Sequence, residues 1–143
     1  MTPRWLFIGV LSVAVAITGC GERPTQAASE EPAVVEEVDG SELSRITLSS
    51  DAARRLGITT VLVGTHGASL AVPYSAVLYD SEGHTWAYTS AEENVFQRHE
   101  LIVERVEDGV AILRDGPAAG TAVVTTGAAE LYGTETGVGG GGH

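Results

Sequence analysis

The sequence predicts a mainly β fold: a small barrel or sandwich-like domain with one short α-helix, behind a signal peptide and a tether. Three observations predict it. From Leu70 onward, short runs of alternating or β-branched residues recur between turn signals, the spacing of a small barrel or sandwich. Glycine reaches 18 residues while aromatics are only 6%, a balance that favours strands and turns over a large helical core. One stretch, residues 49–57, carries the start and stop signals of a helix of about two turns. The 143 residues, 43% of them hydrophobic, leave room for one small domain once a leader is removed.

Leu43 to Leu48 alternates apolar and polar positions, as a half-buried strand does. Ser49 or Ser50 then stands at an N-cap, Asp51 in the first turn, Arg54 and Arg55 in the last, and Gly57 just past the end, so the charges oppose the helix dipole at both termini. Ile58 to Val63 is β-branched and reads as a second strand, broken by Gly64 to Gly67. Leu70 to Pro73 leads into Tyr74 to Tyr79, Asp80 to Gly83 supplies a turn, and His84 to Thr89 alternates again, completing a hairpin. Val95 to Val106 is a long strand with a bend or bulge expected near His99. A turn at Glu107 to Gly109, a strand at Val110 to Leu113, a loop at Arg114 to Gly120 and a strand at Thr121 to Thr126 follow, and a short segment from Gly127 ends at Leu131 and Tyr132. Trp86 and Tyr88 share one face of their strand, and Trp86, Tyr74 and Tyr79 are expected as core or rim aromatics.

The organisation expected from this reading is a lipoprotein signal peptide over 1–19, an acylated Cys20 and flexible acidic tether over 20–42, the β domain over 43–132 and a disordered Gly-rich tail over 133–143. Trp5 to Ile17 runs thirteen residues without a charge. A helix of that length spans about 20 Å, short of the roughly 30 Å hydrocarbon core, so a signal-peptide apolar region is preferred to a membrane span. Ile17-Thr18-Gly19-Cys20 directly after it resembles the bacterial lipobox, which implies lipidation of Cys20, palmitate included, and anchoring at the periplasmic face of a bacterial membrane. Several acyl chains anchor stably where one is marginal. Gly21 follows Cys20, in place of the Asp that resembles an inner-membrane retention signal, so the inner and outer membranes both stay open. Residues 21–40 hold two prolines and six Asp or Glu, and a flexible chain of that length reaches roughly 25 Å.

With 8 Lys+Arg against 19 Asp+Glu, a formal charge of −11 and no lysine, the chain lacks the clustered cations that nucleic-acid binding needs. The single Cys excludes an intrachain disulfide and any multi-cysteine metal site.

Three pieces resemble the periplasmic adaptor subunits (membrane fusion proteins, HlyD-like) of resistance-nodulation-division efflux pumps. Ile46-Thr-Leu-Ser-Ser-Asp-Ala-Ala-Arg-Arg-Leu-Gly-Ile-Thr-Thr60 is similar to the opening segment of heavy-metal-type adaptors. Val72-Pro-Tyr-Ser-Ala-Val-Leu-Tyr-Asp-Ser-Glu-Gly-His-Thr-Trp-Ala-Tyr88 is similar to the Val-Pro-x-Ser-Ala-Val strand and hairpin that open the closing part. Gly116-Pro-Ala-Ala-Gly-Thr-Ala-Val-Val-Thr-Thr-Gly127 resembles the late strand pair, with Pro117 and Thr121 departing from the family's Leu and Asp. A full adaptor carries further domains and a helical hairpin between these ends, whereas here Val63 reaches Val72 in nine positions. The resemblance therefore implies a membrane-proximal β domain made from the family's two end segments. It also implies a lipid-anchored accessory protein whose partners are an inner-membrane pump subunit or other adaptor subunits. The alternatives are a periplasmic metal- or ligand-binding lipoprotein, or a remnant of a full adaptor.

No catalytic residue is expected: a Gly-x-Ser-x-Gly elbow, a phosphate-cradling loop and His-Glu-x-x-His are all missing from the sequence. No cofactor is expected either. His66, His84, His99 and His143 lack the close pairing of a zinc motif, and His84 with His99 across a hairpin is the one metal candidate among them. Asp80-x-Glu82-Gly83 has a calcium-loop look but reads as turn chemistry. The partner-binding residues stay unassigned.

Overall fold

The computed structural model describes residues 31–137. Ten strands, β1 (Ala33–Glu37), β2 (Ser44–Leu48), β3 (Thr59–Leu62), β4 (Gly64–His66), β5 (Ser69–Pro73), β6 (Leu78–Tyr79), β7 (Thr85–Glu92), β8 (Val95–Glu107), β9 (Val110–Asp115) and β10 (Ala122–Thr126), are joined by two helices, α1 (Ser50–Leu56) and α2 (Ala128–Glu135). The fold is mainly β, a sheet curled into a half-barrel, as its turn-bounded strands predict.

The main strand order is β3-β10-β7-β8-β9-β5-β4. Its two outermost members, β3 and β4, are separated in the chain by Val63 alone. Val63 is buried and exchanges 2.8 Å bonds with the 120–121 loop, its N–H donating to Thr121 O and its O accepting from Gly120 N. One stretch of chain thus runs from one end of the order to the other and curls the sheet round. β2 adds to β8, β1 to β2, and β6 to β7, all antiparallel.

Adjacent residues on the central strands face two separate cores, as the period of two in a strand requires. Tyr88 and Val124 face one core with Ile46, Leu48, Phe96, Ala52, Ala53, Ala128 and Leu131. Ala87 and Val123 face the other with Val63, Val72, Ala76, Leu101, Ala111 and Leu113. Helices and the β1–β2 hairpin cover the first face; the curling sheet covers the second.

Local signals hold where they are strong. Ser49 Oγ accepts from Ala52 N at 3.2 Å to cap α1, and Gly57, at φ 63, ends the helix with its N–H turned back to Ala53 O and Arg54 O. Asp108 and Gly109 have φ 49 and 77, the two left-handed residues that a tight β8–β9 hairpin demands.

The structure corrects several boundaries. Residues 33–37, assigned to the tether, form β1, because Ala33, Val34 and Val35 register against Leu48, Thr47 and Ile46; the prolines and acids around them mask a β-branched run. Gly64–His66, expected as a break, is a strand paired with β5, the turn being confined to the residues around Gly67 at φ 64. A second helix, α2, carries the fold to Glu135, past the expected tail boundary at 132, since the Glu135 side chain has buried partners to reach. The irregularity in β8 lies not at His99, where pairing with β7 is unbroken from Gln97 to Leu101, but at Ile102 to Arg105, where β8 pairs with β9. The signal peptide, Cys20, the tether up to residue 30, the last residues of the tail and His143 lie outside the described residues.

Candidate functional site

The β6–β7 turn is organised by Asp80. Its Oδ1 accepts the N–H groups of Glu82 and His84, each at 2.9 Å, and its Oδ2 accepts the indole Nε1–H of Trp86 at 2.9 Å. The His84 ring Nδ1 lies 3.1 Å from the same Oδ2. These bonds favour the ionised carboxylate: the Trp86 indole first, opposed in part by desolvation and assisted by the backbone at His84 and Glu82, holds Asp80 far below the usual carboxylate range.

Trp86 extends this turn to a buried ion pair. The Arg98 guanidinium lies 4.8 Å from the Trp86 ring centroid and 5.4 Å from that of Tyr132, a cation between two aromatic faces. Arg98 Nε donates to Glu135 Oε2 at 2.9 Å, their side chains being only 13% and 4% exposed. The same Glu135 oxygen accepts the Tyr88 hydroxyl, and Ser44 N approaches Oε1 at 3.4 Å. Burial, then the Glu135 bond and its charge, push the Tyr88 phenol well above its ordinary value. The cluster ties β2, β7, β8 and α2 together.

Beside it lies a cleft of about 520 Å³, walled by Trp86, Tyr132 and Arg98 and rimmed by Glu42, Glu82 and Glu100. Its chemistry is aromatic and acidic, with the one lining arginine satisfied from within. Asp80, Glu82 and His84 place one donor atom each within 4.8 Å of one another, the only such group of three among the described residues, and are the side chains that could hold a divalent cation. Oδ1 of Asp80 faces two backbone N–H groups and Oδ2 the Trp86 indole, so a cation would compete with these donors for the carboxylate.

The sequence-predicted pair is not brought together. His99 stands opposite Ala87 and His84 precedes Thr85, which stands opposite Leu101, a separation of three register positions or about 10 Å along the ladder. The cross-strand partner of His84 is thus not His99, and its neighbours are the two carboxylates of its own turn. Trp86 is half-buried in the cleft wall, while Tyr74 and Tyr79, expected in the core or at its rim, are exposed at 42% and 55% away from the cleft, with hydroxyls 3.3 Å apart. Sequence reasoning missed Arg98, Tyr132 and Glu135. Arg98 and Glu135 are 37 positions apart, and the signal that could have found them is a lone Arg in an otherwise uncharged strand stretch, Val95 to Arg98, facing the predicted Trp86–Tyr88 side.

No family model, curated protein or solved structure matches this chain. No helix among the described residues is long and apolar enough to cross a membrane.

Proposed function

We propose that the chain is a lipid-anchored periplasmic accessory protein of a resistance-nodulation-division-type efflux system, an adaptor-like module that contacts pump components and catalyses no reaction. One observation carries this reading. The segment that resembles an adaptor's opening interleaves with the segment that resembles its closing part: β2 pairs with β8, and β3 with β10. The β4–β5 hairpin lies between the two segments, in the place where a full adaptor's intervening domains would leave and return at neighbouring points. The wild-type lipidated protein, purified from membranes under mild detergent, is expected to carry a pump subunit with it. Its absence from every such complex, with the protein intact, would overturn the reading.

The group at Asp80, Glu82 and His84 favours a second reading, a metal-binding lipoprotein. Under it, Zn²⁺ titration saturates at one ion per chain and His84→Ala abolishes binding; under the adaptor reading no saturable binding is seen.

A further inference from the structure

The cleft is built on the β7–β8 ladder, where the antiparallel register sets Trp86 opposite Glu100 and Tyr88 opposite Arg98. Glu100 and Arg98 are two residues apart and so share one face of β8. Tyr132 of α2, the Asp80 turn and Glu42 before β2 complete the lining. Trp86 and Tyr132 are half-buried, and Glu42, Glu82 and Glu100 are exposed.

The charges of this lining are one-sided. Glu135 neutralises Arg98 through Nε at 2.9 Å. Asp80 and the three exposed carboxylates remain; among the described residues Glu42 and Glu100 have no ion-pair partner, and Glu82 has only the His84 ring, at 3.9 Å. Aromatic walls beneath a rim of one sign concentrate the field in the cleft and raise the local concentration of the opposite charge. A second observation concerns Arg98 itself. Its side chain is only 13% exposed and its Nε is bonded to Glu135, but no described residue accepts from its two terminal amino groups. A guanidinium so far removed from water is costly without acceptors, and this one lines the cleft.

Together these features specify a ligand class. The rim carboxylates select a cation, and the aromatic lining selects a weakly hydrated organic one over a metal ion, whose bound water an aromatic face does not replace. The Arg98 amino groups select an acceptor oxygen. We propose that the cleft binds an organic ammonium ion carrying a carbonyl oxygen, its cationic end among Glu42, Glu82 and Glu100 beside Trp86 and its oxygen on Arg98. The volume of about 520 Å³ lies within the range of small-molecule sites. The proposal goes beyond the adaptor reading and depends neither on the anchor nor on which pump is contacted.

Titration of the full mature protein with benzoylcholine tests it, read by the fluorescence of Trp86; Trp5 is the only other tryptophan in the sequence. The comparison probes are 3,3-dimethylbutyl benzoate, in which a tert-butyl group replaces the trimethylammonium, and benzoate, which reverses the charge. Benzoylcholine is expected to saturate at one per chain and to bind at least about 10-fold more tightly than either. The benzyl ether of choline, which lacks the carbonyl, should bind about 5-fold more weakly than benzoylcholine, the scale of a hydrogen bond to a charged donor. Glu42→Gln with Glu100→Gln should weaken benzoylcholine about 5-fold and leave the neutral ester unchanged; both side chains are exposed, and an unchanged thermal midpoint checks that the fold is kept. Equal binding of benzoylcholine and the neutral ester, or tighter binding of benzoate, would overturn the cation assignment. Equal binding of the ester and the ether of choline would overturn the Arg98 contact. No saturable binding of benzoylcholine, with or without saturation by Zn²⁺, would overturn the site.

Discussion

The two faces of the β7–β10 pair are closed by different means. Toward the curling sheet, Ala87 and Val123 meet Ala76, Ala111, Val63, Val72, Leu101 and Leu113, an all-aliphatic core with no aromatic or polar member. Toward the helices, their chain neighbours Tyr88 and Val124 meet Phe96, Ile46, Leu48 and Leu131 with the alanines of the helices, and the layer ends in the ion pair of Arg98 and Glu135. Added volume on the first face should be costly, because Ala87 is fully buried among packed aliphatic side chains. The second depends on one aromatic and one polar clasp. Backbone pairing thus fixes one side of the sheet and side-chain chemistry the other.

Substitutions at neighbouring positions of one strand should separate these two modes. The largest effect is expected from Tyr88→Ala, which leaves a cavity and strips Glu135 of a donor, at about 3–5 kcal/mol by denaturant unfolding. Arg98→Met follows at about 3 kcal/mol, since it leaves the Glu135 carboxylate buried without its cation; a loss below about 1 kcal/mol would reduce the clasp to a surface pair. Ala87→Leu tests the other face and should cost about 1–3 kcal/mol through overpacking, with the Arg98 and Glu135 contacts intact. A stabilising result there would mean the curling sheet is loosely packed.

The smallest expected effects are those of pH, and their signs differ between the two groups. Asp80 is held below the usual carboxyl value of 3.8, so its contribution is present above about that pH and is lost as pH falls further. The deficit of Asp80→Asn relative to wild type should therefore be seen at pH 7 and shrink toward pH 3 in thermal melts. Tyr88 is raised above 10.0, so stability is unaffected below that pH and declines above it, where the unfolded phenol ionises and the buried one does not. Tyr88→Phe should flatten that alkaline decline. A decline of the same slope in Tyr88→Phe would assign it to other groups.

The parts legible in the sequence are those governed by neighbours in the chain. The Ser49 cap, the Gly57 stop, the alternation of β7 and the Asp108-Gly109 turn are written within a few residues of themselves. β1 was hidden because its five residues have no meaning until Ile46 and Leu48 are opposite them. α2 was hidden because it is short, is interrupted by Gly133 and is held by partners distant in the chain. In the cleft, Trp86 and Tyr88 were visible as a shared strand face, but Arg98, Tyr132 and Glu135 meet them only through tertiary packing, and no local spacing reports that. The His84–His99 pairing failed for a register reason, the two sitting three rungs apart.

The opening segment is an integral part of the domain and not an appendage to it. Calorimetry of residues 31–137 beside residues 70–137 tests this most directly. The longer chain should unfold in a single cooperative transition, with calorimetric and van't Hoff enthalpies equal. The shorter chain, lacking β1, β2, α1, β3 and β4, exposes Tyr88, Phe96 and Val124 and leaves edges on β8, β10 and β5, and it should be insoluble or show no transition. A 70–137 chain as stable as the longer one would contradict the account.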